Sequence, residues 1–144
     1  METLVIQSDI NNILEVERFV YSICDTFNIY NYSAVISMSL LQAVKNAIGQ
    51  DGNSNSSKEI KIAFDQCRGG VYFTISVDGG EFDFCSQLSS DSLFLMRSLT
   101  DQLTFSDNGS AVRLFFVING IEASRALERI TTLRRYYIPR TVEV

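Results

Sequence analysis

Leu40-Leu41-Gln42-Ala43-Val44-Lys45-Asn46-Ala47-Ile48 reads as the closing turns of a helix, and Val77-Asp78-Gly79-Gly80 reads as the end of a strand. Taken together, these two fragments decide the fold. Asn46 lies one helical turn past Gln42, so the two side chains share a helix face. A neutral amide suits the space between a magnesium ion and a triphosphate: its carbonyl oxygen can bind the cation and its NH2 can approach phosphate oxygens. Asp78 is a carboxylate followed by two residues without side chains, a combination that can accept from an adenine amine while the backbone approaches a flat ring. Each fragment alone has a plainer explanation, a helix-surface Asn and an ordinary Asp-Gly turn. Gln42 is notable because it is not Glu. A carboxylate there could take a proton from an attacking hydroxyl, whereas a carboxamide cannot.

Elements extend outward from these fragments. Thr3 to Gln7 is β-rich, and Ser8 or Asp9 is placed to cap a helix carrying Ile10, Ile13, Leu14, Phe19, Val20, Ile23 and Phe27. A turn around Asn28 to Asn31 leads to a second helix from Ser33 to Ile48, ended by Gly49. After a loop at 50–57, strands over Glu59 to Gln66 and Val71 to Val77 meet at Arg68-Gly69-Gly70. A serine-bearing connection from Phe82 to Ser90 precedes a helix over Asp91 to Leu103. Strands at Leu103 to Phe105 and Ala111 to Ile118 close around Asp107-Asn108-Gly109. Helices interrupting hairpins predict an α+β, two-layer α/β sandwich, one mixed sheet covered by helices on one face.

Composition narrows the function. A chain of 144 residues, 46% hydrophobic, suits one compact domain. A net charge of -5 argues against direct nucleic-acid contact over a basic surface. No apolar run approaches the ~20 residues of a membrane helix, and the N-terminus lacks the pattern of a secretory signal. Cys24, Cys67 and Cys85 lie far apart in apolar neighbourhoods and read as reduced, mostly buried thiols of a cytoplasmic protein. Histidine is absent, which removes Ser-His and Cys-His mechanisms, His-based metal sites and a phosphohistidine relay on this chain. Lys45 and Arg97 read as solvated charge, with phosphate contact as the alternative.

In order from about Leu4 to Ile118, the chain resembles the anti-sigma-factor serine kinases of the GHKL ATPase superfamily. The stretch Leu40 to Ile48 is similar to that family's E-A-x-x-N-A-I motif apart from Gln42. Val77 to Asp83 resembles D-x-G-x-G-F-D, one residue short. Ser90-Asp91-Ser92-Leu93-Phe94-Leu95-Met96 resembles G-x-G-L-x-L-M with serine at both glycine positions. Asp101 and Asn108 to Leu114 resemble the family's later D and G-T-x-V-x-L. The resemblance implies a histidine-kinase-like ATPase fold over 1–118 that binds ATP and Mg2+. Asn46 would hold the metal, Asp78 would bind adenine, and Gly80 would line the purine. The segment Phe82 to Ser92, including Ser90 and Ser92, would cover the phosphates, and Ser110 would stand in for a threonine near adenine. It also implies a protein partner, a sigma factor or an anti-sigma antagonist, and phosphorylation of a serine on the latter. Gln42, the missing glycine after Asp78, the two serines, and Gln50 near the usual place of a histidine depart from the pattern. They point to weak or lost kinase activity, or to a nucleotide-free protein-interaction module that keeps only the docking surface. Loss of the base need not abolish turnover, because phosphoryl transfer is mostly positioning and charge neutralisation.

Residues 119–144 form a C-terminal extension. Ala123, Ala126, Ile130, Leu133 and Tyr137 fall at three- and four-residue steps, the pattern of an extra helix, and Pro139 would stop it. Arg125, Arg129, Arg134, Arg135 and Arg140 make it the basic part of an acidic chain. Packing on the domain, homodimer formation and docking of an acidic partner are all open for this stripe.

Overall fold

The computed structural model describes residues 2–49, 55–78, 83–106 and 109–118, with only the backbone described at 55–57. The expected C-terminal helix, Gly80, Gln50 and the Asp107-Asn108 turn lie outside these residues. The elements run β1 (Glu2–Ser8), α1 (Ile13–Thr26), α2 (Ser33–Ile48), β2 (Asn55–Cys67), β3 (Gly70–Asp78), α3 (Phe84–Gln87), α4 (Ser90–Leu99), β4 (Gln102–Ser106) and β5 (Ala111–Val117).

Local chemistry sets the helix boundaries. Asp9 accepts from the Asn11 N–H at 3.0 Å and starts a single 3-10 turn that leads into α1. Asn28 ends that helix with φ 58, a left-handed conformation that Asn tolerates because its short amide can bond locally. Gly49 stops α2, with its N–H on the Lys45 carbonyl.

The five strands lie in the order β1-β2-β3-β5-β4. Every neighbouring pair is antiparallel, which corrects the expected mixed sheet. The reason lies in the connections. Two helices between β1 and β2 carry the chain away and back, so β2 starts where β1 ended and runs against it. α3 and α4 together carry β3 over to β4, which runs in the same direction as β3. The hairpin then folds β5 into the space between them, so the parallel pair never touches.

Side chains alternate across the strands. Ile60, Ile62 and Phe64, then Phe73, Ile75 and Val77, then Val112, Leu114 and Phe116 are buried toward the helices. Across β2, β3 and β5 the phenylalanine rings continue from strand to strand, Phe64 to Phe73 at 5.1 Å and Phe73 to Phe116 at 6.3 Å between centroids. The other face carries Lys61, Tyr72, Thr74 and Arg113, with the Arg113 guanidinium 4.4 Å above the Tyr72 ring. The α/β two-layer arrangement with helices on one face is therefore present. α2 sits at its centre, against α1, α4, β2, β3 and β5. Gly70 permits β3 to lie close to β5: a Cβ there would overlap the Phe116 carbonyl oxygen.

Phe73 is fully buried between two other rings. Phe73→Ala should cost ~3–5 kcal/mol in equilibrium urea unfolding, while Val5→Ala on the exposed face should stay within ~0.5 kcal/mol. Equal effects would contradict this assignment of the two faces.

Candidate functional site

Asn46 projects from the last turns of α2 toward the start of α4. Its Nδ2 donates to Ser92 Oγ at 2.8 Å and to the Gln42 carbonyl at 2.7 Å. Its Oδ1 accepts from the Ser89 N–H at 3.1 Å. Ser92 Oγ in turn donates to Gln42 Oε1 at 3.0 Å. Ser89 caps α4 by accepting from the Ser92 N–H at 3.1 Å. Gln42, Asn46, Ser89 and Ser92 thus form one hydrogen-bonded cluster joining two helices. Ser92 is buried, and the two amides are half-buried.

Chemically this is a neutral cluster. Both ends of the Asn46 amide are engaged within the protein, including the oxygen that would face a cation. Among the described residues no group of three or more His, Cys, Asp or Glu side chains could hold a metal ion. Gln42 also donates through Nε2 to Met38 Sδ at 3.4 Å, which orients its carbonyl oxygen toward Ser92. The N–H groups at the start of α4, where a phosphate would be expected to sit, are partly taken by Ser89.

The segment expected to cover phosphates is itself folded inward. It forms α3, capped by Asp83, whose carboxylate accepts from the Cys85 N–H at 2.9 Å. Phe84 is fully buried, and Leu88 packs against the core. Asp83 also lies against the backbone of Gly109 at the β4–β5 turn, where φ is +92 and a Cβ would overlap the carboxylate. Glycine is required there on both counts.

Asp78 ends β3 opposite Glu59, and the neighbouring Lys58 reaches the end of α2, where its Nζ donates to the Ala47 carbonyl at 2.9 Å. Asp78 and Asn46 therefore occupy the same end of the molecule. They do not converge. Along β3, Phe73, Ile75 and Val77 point to the helices, so alternation places Asp78, which is exposed, with Ser76 and Thr74 on the sheet face away from α1, α2 and α4. The inward position at this strand end belongs to buried Val77, which offers no acceptor to an adenine amine. Ser110 is beside it, its carbonyl accepting from the Val77 N–H at 3.1 Å. Ser90 is exposed in the first turn of α4, as are Lys45 and Arg97 on their helices. Asp101 is structural: its carboxylate accepts from the Val117 N–H at 2.7 Å and pins β5 at the start of β4.

Two participants were missed in the sequence, Ser89 and Lys58. Ser89 three residues before Ser92 and ahead of an apolar run is a capping signal. Lys58 has no comparable local signature, because its partner is a helix end eleven residues earlier.

The thiols divide. Cys24 is buried, and burial pushes its pKa up to about 11. Cys67 and Cys85 are exposed, which corrects the expectation of mostly buried thiols. Cys67 ends β2 at the hairpin turn, and Cys85 lies on the outer side of the short α3, so neither apolar neighbourhood in sequence becomes one in space. Tyr30 donates to the Asp25 carboxylate, and that bond raises the phenol's pKa.

Compared with known protein families and with curated proteins, the chain matches none.

Cys24 keeps its proton up to about pH 11, so at pH 8 a thiol reagent should modify Cys67 and Cys85 quickly and Cys24 only after denaturant is added. A third fast-reacting thiol in the native protein would contradict this.

Proposed function

We propose that this chain is a regulatory protein-interaction module of the anti-sigma-kinase type, in which the cleft that would take Mg-ATP is filled by the protein's own side chains. The carrying observation is the engagement of both ends of the Asn46 amide by Ser89 and Ser92. A metal ion or phosphate at Asn46 must first break those bonds. Val77 in the inward position at the end of β3 removes the acid that would select adenine. Gln42 cannot act as a base, so phosphoryl transfer to a serine is lost or very slow. Regulation then proceeds through a protein partner, a sigma factor or an antagonist of one, bound without turnover.

A second reading keeps weak nucleotide binding. It is favoured by the meeting of Gln42, Asn46 and the start of α4 at one point, within 3.1 Å of one another in successive bonds. In that reading Mg-ATP displaces the serines, and the same partner surface becomes nucleotide-sensitive.

Thermal denaturation separates the two. A ligand at ~100 times its dissociation constant stabilises the fold by about 2.7 kcal/mol, a rise of several degrees in Tm. The closed-cleft reading expects no shift with millimolar Mg-ATP or Mg-ADP relative to EDTA. A clear shift that vanishes in Asn46→Ala would overturn it and establish the second reading.

A further inference from the structure

Two serines occupy the places where the resemblance puts glycine, Ser90 and Ser92, and only one is engaged. Ser90 is exposed, whereas Ser92 is buried and uses its hydroxyl twice, accepting from Asn46 Nδ2 and donating to Gln42 Oε1. The Ser92 hydroxyl thus spans the two amides that α2 presents. Beside it, the Ser89 N–H closes on Asn46 Oδ1.

We propose that Ser92 is a latch: its hydroxyl holds the start of α4 against α2 and keeps the cleft shut, so that closure is a reversible state of the fold. The proposal rests on the closed-cleft reading above and assigns its cause. The supports around the latch differ in strength. α3 is anchored by Phe84 in the core and by Asp83 at Gly109, and the far end of α4 is anchored by buried Leu95, Met96 and Leu99. Between those anchors, the stretch from Ser89 to Ser92 is tied to α2 by side-chain hydrogen bonds, which are individually weak and exchangeable with water. Opening therefore leaves those anchors in place. It breaks the bonds from the Ser92 hydroxyl to Asn46 Nδ2 and Gln42 Oε1 and the bond from the Ser89 N–H to Asn46 Oδ1, while Asn46 Nδ2 keeps its bond to the Gln42 main-chain carbonyl.

The test is amide hydrogen exchange on the full chain without ligand, read at Ser89, whose N–H bonds to Asn46 Oδ1, and at core amides of β3 and β5 as a reference. Ser92→Ala should raise exchange at Ser89 about tenfold while the β3 and β5 amides stay unchanged. Asn46→Ala, which removes the bonds from the other helix, should do the same, and the double variant should add little. Ser98→Ala, which loses a hydroxyl bonded only to the Phe94 carbonyl of its own helix at 2.9 Å, should leave Ser89 as it was. Unchanged Ser89 exchange in Ser92→Ala, or acceleration of Ser89 and the core amides together, would overturn the latch. Titration with Mg-ATP is the separate arm. Binding of millimolar Mg-ATP by the wild-type protein would defeat the closed-cleft reading, whatever Ser89 shows. Binding absent from the wild-type protein and gained in Ser92→Ala would support the latch and the reading together.

Discussion

Burial of α2 on several sides is the constraint that organises this molecule. Nine of its sixteen residues are buried, more than one amphipathic stripe can supply. The helix must therefore touch the sheet below and a helix on either side. That wedged position leaves Gln42 and Asn46 facing α4, while exposed Lys45 marks the side of the helix that meets solvent. Ser39, buried on the same helix, bonds back to the Val35 carbonyl and needs no external partner. The amides at 42 and 46 also bond back, through Nε2 to Met38 Sδ and through Nδ2 to the Gln42 carbonyl, and the serines of α4 engage their oxygens.

The cluster follows from ordinary accounting of buried polar groups. A half-buried amide at the junction of two helices must find donors and acceptors, from solvent, from a ligand or from the chain. The Ser92 hydroxyl accepts from Asn46 Nδ2 and donates to Gln42 Oε1, and the Ser89 N–H donates to Asn46 Oδ1, so the chain supplies these partners itself.

Much of this architecture was legible in the sequence. α2 was readable end to end because its apolar spacing is long and Gly49 terminates it. The strands were readable from alternation and from the glycines at 69 and 70. The parallel or antiparallel sense of the sheet was not, since it depends on where the β4–β5 hairpin inserts, and no local pattern records that. α3 escaped because four residues hold too little periodicity, and its stability comes from Phe84 in a core assembled from distant segments. For the site, the pairing of Gln42 with Asn46 was visible from helical spacing. The face occupied by Asp78 was not, because it requires counting alternation back from Phe73 in a known register. Ser89 was hidden for a related reason: its N–H serves a side chain forty-three residues away.

Joining β1 to β2 across two helices bears on how the chain assembles. Gln7 and Glu59 are 52 positions apart, whereas β2 and β3 meet across a turn of two residues. Chain-closure scaling makes the first pairing costlier in entropy by ~3 kcal/mol. Helices α1 and α2 shorten the path that edge strand β1 has to close, and the β2–β3 hairpin is the cheaper seed for the sheet.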